Sequence, residues 1–205
     1  MPPTRDTSDI AAGELVELHD DALRKWYAAQ PDDVEPGDSV ESLARAQHFC
    51  NVSLWDLEDE ARRRDVPDAI IAETKRGIDR WNQRRNDLVE RIDRVLLERF
   101  AGVDVSRAAL HSETAGMMID RLSILALKIW HMRSYAADAS DPAIARECRE
   151  KAEQLSLQRD DLACCLDTLL ADFAAGRRYF KLYRQHKAYN DPRLNPALRD
   201  ARKTT

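Results

Sequence analysis

The stretch HFCNVSLWDLEDEARRRDVPDAIIAETKRGIDRWNQRRNDLVERID, residues 48–93, decides the fold. At 3.6 residues per turn, His48, Asn51, Trp55, Glu58, Asp59 and Arg62 fall within an arc of about 100°. Leu43, Cys50, Leu54, Leu57 and Ala61 form an apolar stripe beside them. After Val66-Pro67 the pattern repeats. Ile71, Ile78, Leu88, Val89, Ile92 and Leu96 make a core face, and Lys75, Asp79, Asn82, Asn86, Glu90 and Asp93 make a neighbouring one. The third face is arginine: Arg76, Arg80, Arg84, Arg91 and Arg94. That face reads as solvated, so the carboxylate and amide stripe is something other than ordinary surface. Two long helices broken by a proline form an antiparallel hairpin, with Pro67 suited to the first turn of the second.

Outward from the hairpin, the rest of the chain is helical in pattern. A length of 205 residues suits one domain with a sizeable core. Only 6 Gly and 8 Pro accompany 34% charged and 43% hydrophobic residues, which favours long amphipathic helices over a turn-rich β architecture. A first helix is expected from Asp9 to Ala29, with Leu15, Leu18, Ala22 and Trp26 inward and His19-Asp20 on the surface. Asp38 and Glu41 form a capping box for the His48 helix. The segment from Thr114 to Tyr135 is apolar nearly all round and is therefore central and buried. Glu113, Asp120 and His131 project onto nearly one line of it, with Arg121 and Lys128 on a second. Charges on a buried helix must be paired or functional. Asp141-Pro142 opens a further helix with Ile144, Cys148, Leu155, Leu162, Leu166, Leu169 and Phe173 inward, and Gly176 punctuates it. The reading is an all-α antiparallel bundle of about five or six helices: a disordered tail over 1–8, a single domain over 9–198 and a polar tail over 199–205.

A net charge of −5, mixed in sign, disfavours a general polyanion binder, so nucleic acid is an unlikely partner. Cys50, Cys148, Cys164 and Cys165 show no CxxC spacing and read as reduced, buried thiols in a cytoplasmic protein. No apolar run approaches the ~20 residues of a membrane span, and residues 1–9 lack the pattern of a signal peptide.

Several chemistries compete for the polar stripes. Glu58, Asp59, Asp79, Glu90 and Asp93 are candidate ligands for a hard cation such as Mg²⁺, because carboxylates one helical turn apart can share one. Against that stand interhelical salt bridges to Arg62, Lys75 or Arg121. Helical nucleotide pyrophosphatases use comparable acidic pairs, but their full pattern is incomplete here. The paired Glu-x-x-His motifs of a di-iron bundle are absent. His48, Glu58, Asp59 and Asp79 are the catalytic candidates, with His48 ahead of His111 and His131 as a base titrating near neutrality. Asn51, Trp55, Arg62, Asn82, Asn86, His111, Glu113, Asp120, Arg121 and Lys128 are candidate ligand-binding residues. The segment 177–190 interleaves cations with Tyr179, Phe180, Tyr183 and Tyr189. It reads either as a phosphate clamp through Arg184, Lys187 and Asn190, as an RNA contact, or as a helix covering the bundle.

These strings also carry a resemblance. His48-x-x-Asn51-x-x-Leu54-Trp55-x-x-Glu58-Asp59, Lys75-Arg76-x-Ile78-Asp79-x-x-Asn82-Gln83-x-Arg85-Asn86-Asp87, His111-Ser112-Glu113-Thr114-x-Gly116, Asp120-Arg121-Leu122-Ser123, Tyr183-Arg184-Gln185 and Tyr189-Asn190-Asp191-Pro192 stand in one order. Over about residues 40–198 the chain resembles a bacterial all-helical family of unknown function found near glycosyltransferase genes. Ala188 stands where that family has methionine. The resemblance implies a role in glycosyl transfer, as the partner of a glycosyltransferase or as a binder of its nucleotide sugar. It assigns no catalytic residue. The competing class is a Mg²⁺-dependent hydrolase of a nucleotide or sugar phosphate, and a third is an RNA-binding or purely structural helical module.

Overall fold

The computed structural model describes residues 11–29, 35–183 and 193–196. Five helices carry them: α1 (Ala12–Ala29), α2 (Val40–Glu60), α3 (Asp68–Arg99), α4 (Ala115–Asp138) and α5 (Pro142–Ala174). The all-α expectation holds. The pairs α2–α3 and α4–α5 are hairpins with the most extensive packing, and α1 lies against α2, α4 and α5. Among these helices α4 alone touches all four others, so the apolar segment is central as its composition requires. Its Met118, Ile119, Leu122, Leu125 and Ile129 are buried, at helical spacing. The first four meet Leu43 of α2, Leu88, Ile92 and Leu96 of α3, and Leu162, Leu166 and Leu169 of α5 in one core. Ile144, expected inward, is exposed near the start of α5.

Each helix start has its own solution for the orphan N–H groups. Ser39 caps α2 by accepting from the Ser42 amide at 3.1 Å, in place of the expected Asp38–Glu41 box. Asp38 is drawn away by Arg91, 3.2 Å distant. Pro67 is the N-cap of α3 rather than its first residue. Thr114 caps α4 and Asp141 caps α5, with Pro142 in the first turn. The amide of Ala12 donates to Asp167 of α5 at 2.8 Å, which satisfies the start of α1 and ties it to its neighbour.

Gly176 ends α5 at φ +67°. Its amide donates to the Phe173 carbonyl at 2.9 Å, and that of Arg177 to the Asp172 carbonyl at 2.8 Å, the paired bonds of a Schellman turn. The chain then runs straight rather than helical. β2 (Arg178–Tyr179) pairs in parallel with β1 (Ala109–Leu110), which corrects the helical reading of this part of the C-terminal segment. Phe180 is buried edge-on to Phe173, and Phe173 stacks on Phe100. The exit of α5 thereby locks the α3–α4 connection, where the His111-Ser112-Glu113 motif lies. No helix among the described residues is long and apolar enough to cross a membrane. None of the four cysteines is in a disulfide, and of the four Cys50 is buried while Cys164 and Cys165 are exposed, contrary to the buried-thiol expectation.

Candidate functional site: a polar cleft over a buried network

A cleft of about 410 Å³ opens where α2, α3 and the middle of α4 meet. Asn51, Leu54, Trp55, Glu58 and Asp59 line it from α2, Arg62 from the turn after it, Asn82 and Arg85 from α3, and Ile124 and Leu127 from α4. The reason lies in the phase of the helices. On α2 the polar arc flanks the apolar stripe, so one edge of it turns to the groove between helices and not to open solvent. Leu54, Ile124 and Leu127 make an apolar base, and amides, carboxylates and guanidiniums ring it.

Behind the cleft lies a chain of buried polar groups. Asn51 is 4% exposed and donates to Asp120 Oδ1 at 3.0 Å and to Ser123 Oγ at 2.8 Å. Gln47 Nε2 donates to the same Asp120 oxygen. Ser123 Oγ lies 2.7 Å from His48 Nδ1. Ser123 Oγ, which accepts from Asn51, thereby links that carboxamide to the His48 imidazole. His48 in turn stacks on His19 of α1, with ring centroids 4.7 Å apart.

The charges in this network follow its burial. His48 is 1% exposed, and desolvation, with the Arg45 charge second, pushes it down to about 3, while a contact with the His19 main chain works weakly the other way. It is neutral throughout the physiological range. The expected base titrating near neutrality is therefore a structural imidazole that orients Ser123. His19, expected on the surface, is fully buried; burial, then the charges of His48, Arg159 and Arg45, hold it well below its ordinary value. Neither of its ring nitrogens has a hydrogen-bond partner among the described residues. Burial raises the Asp120 carboxyl, opposed by the Arg85 charge and the Asn51 bond.

Arg85 joins this network to the cleft. Its Nη1 lies 3.4 Å from Asn51 Oδ1, its Nε stands 4.0 Å from Asp120 Oδ1, and that buried Nε has no hydrogen-bond partner among the described residues. At those distances the guanidinium is held by charge more than by good hydrogen bonds. At the other end of the cleft, Trp55 stacks on His131 at 4.3 Å and 6°, and His131 Nε2 meets the Tyr27 hydroxyl at 3.0 Å. Burial lowers the His131 pKa, against the Asp59 charge.

Of the residues singled out in the sequence, Asn51, Trp55, Glu58, Asp59, Arg62 and Asn82 thus share one cleft, with Asp120 and His48 beneath it. Others are engaged elsewhere. Asp93 is 2% exposed and accepts from the Gly116 amide at 2.7 Å and from Thr114, capping α4 across the helix interface; desolvation raises it to about 6. Asp79 is exposed and paired with Lys75. Glu90 is half-buried, on the helical turn before Asp93. Glu113 takes Arg121 Nη1 at 2.8 Å, and His111 Nδ1 donates to the Glu113 carbonyl at 2.6 Å, away from the cleft lining. Asn86 is half-buried and Lys128 exposed, and neither lines the cleft. Arg184, Lys187 and Asn190 lie outside the described residues. Among the described residues no three His, Cys, Asp or Glu side chains gather in a way that could hold a metal ion, so the acidic stripe is not one cluster.

Arg85, Gln47, Ser123 and His19 were missed. Arg85 had a signal, because it lies three residues after Asn82 and seven after Ile78 and so shares their face, away from the solvated arginines. Ser123 stands three residues after Asp120 on an otherwise apolar face. His19 had none, since nothing in α1 alone shows that a second histidine faces it.

Fold and site together define an all-α bundle with a polar interhelical cleft. The chain belongs to the family described as protein of unknown function (DUF4254), which matches residues 41–182. No curated protein and no solved structure matches it.

Proposed function

We propose that this is a cytoplasmic protein serving glycosyl transfer, which binds the sugar-phosphate part of a nucleotide sugar in the α2–α3–α4 cleft and acts beside a glycosyltransferase. The single observation that carries the ligand class is the company Arg85 keeps. A guanidinium held by charge, 3.4 and 4.0 Å from its partners, lines a groove that also offers two carboxamides, a tryptophan and paired carboxylates over an apolar base. A guanidinium fork suits a phosphate, amides and carboxylates suit sugar hydroxyls, and an indole suits the apolar face of a pyranose. The glycosyltransferase setting rests on the resemblance of the motifs, all of whose cleft members fall within residues 41–182.

Calorimetric titration with a panel of nucleotide sugars is the test. Arg85→Ala should weaken the best ligand at least tenfold, about 1.4 kcal/mol, in a folded protein. Unchanged affinity would remove the cleft from the reading. A second reading, a Mg²⁺-dependent hydrolase, draws on Glu58 and Asp59, which line the same cleft but are engaged with Arg62 at 3.5 and 3.6 Å. It requires metal-dependent phosphate release that disappears in Glu58→Gln. Capture of a glycosyltransferase without such turnover favours the binding role.

A further inference from the structure

A second pocket of about 310 Å³ lies between α1 and α4, on a different face of α4 from the cleft. Asp20 and Arg24 line it from α1, and Ile129, Trp130, Arg133 and Ser134 from α4. Its electrostatics run against the acidic balance of the chain. Asp20 is already taken by Arg159 of α5, whose Nη1 donates to it at 2.8 Å, and the buried Arg159 Nε has no hydrogen-bond partner among the described residues. Among the described residues Arg24 is tied to Asp21, an exposed pair one helical turn away that contributes little and yields readily to a better anion. Two guanidiniums, Arg24 and Arg133, therefore line the pocket with one carboxylate, Asp20, and Arg133 is exposed on its wall. Beside them Trp130, stacked on Tyr27 with centroids 5.4 Å apart and the planes 10° from parallel, is a ring held in fixed orientation.

We propose that this pocket is a site for a nucleoside phosphate, with the base against Trp130 and the phosphate between Arg24 and Arg133. A fixed indole favours a flat π-system, and base–aromatic stacking is sequence-tolerant, so the chemistry selects a nucleotide without selecting its base. Two arginines on adjacent helices offer planar forks to phosphate oxygens that the spoken-for Asp20 does not repel. The hydroxyl of Ser134, 3.4 Å from Asp138, is a further donor or acceptor within the lining. This site is independent of the α2–α3–α4 cleft, which holds none of these residues.

The probes are UDP, ADP, uridine and inorganic pyrophosphate, titrated calorimetrically into the full chain. UDP and ADP should bind, with uridine and pyrophosphate each at least tenfold weaker, because each lacks one half of the recognition. Arg133→Glu should weaken UDP at least tenfold, and Trp130→Ala should weaken UDP but not pyrophosphate. Circular dichroism of each variant separates loss of the site from loss of the fold. Trp130→Phe, which keeps a ring, should retain most of the affinity if Trp130→Ala unfolds. No binding of UDP or ADP, or UDP affinity unmoved by Arg133→Glu, overturns the proposal. UDP affinity lost in Arg85→Ala but not in Arg133→Glu assigns the nucleotide to the cleft and overturns it equally, while leaving the cleft reading intact.

Discussion

His48 and His19 are two neutral imidazoles stacked in the interior, and their effect on stability has a definite sign. A histidine whose folded pKa lies below its unfolded value leaves the proton to the unfolded chain, so stability falls as pH drops through that window. For His48 the window runs from 6.5 down to about 3. Relative to His48→Gln, the protein should lose up to about 1.4 kcal/mol per pH unit across it, read by urea denaturation at stepped pH. Parallel stability curves for the two would contradict the burial argument. Asp93 acts in the opposite sense. Its folded pKa is raised from 3.8 to about 6, so it weakens the fold as pH rises through that interval and penalises it fully above. Gly116 sits against the same carboxylate. A Cβ there would meet the Val89 carbonyl oxygen at 2.7 Å and Asp93 Oδ1 at 2.8 Å, and α3 cannot retreat without opening the core. Gly116→Ala should cost about 1–3 kcal/mol, seen as a melting temperature lowered by several degrees; a neutral substitution would mean that α3 and α4 are less tightly held.

At the scale of elements, caps and chain breaks were the most legible features, because they depend on neighbours in sequence. Asp141-Pro142 and Gly176 act where their chemistry predicted, whereas Asp38 lost its capping role to Ser39 through the distant Arg91. The same division explains the C-terminal segment. Residues 178–179 pair with Ala109 and Leu110, nearly 70 positions earlier, and no local pattern announces such a pairing. Gly176 combines both kinds of constraint. Its positive φ disfavours a side chain, and a Cβ would lie 2.6 Å from the Asp104 carbonyl oxygen. Gly176→Ala should therefore cost more than Ser39→Ala, which removes one cap bond worth about 1 kcal/mol. Thermal melts of the two variants check the ranking, and the reverse order would mean that the α5 exit does not lock the α3–α4 connection.

Taken as a whole, the molecule shows why half of its candidate site was readable and half was not. The α2 residues Asn51, Trp55, Glu58 and Asp59 reached one cleft because a single helix fixes their relative directions. Asp79, Glu113 and Arg121 share the stripes but not the place, because how far one helix slides along another is set by packing such as the Gly116–Val89 contact. Arg85 was hidden among arginines and separated from them only by its phase. It is also the residue on which the functional account turns, since it links the open cleft to Asn51, Asp120 and the buried histidines. The decisive measurement is a crystal structure of the protein with the nucleotide sugar that titrates most tightly. The account predicts phosphate oxygens within hydrogen-bond distance of the Arg85 guanidinium and the sugar beside Asn82 and Trp55. A sugar phosphate lodged elsewhere, with the cleft empty and Arg85 still turned to Asp120, would contradict it.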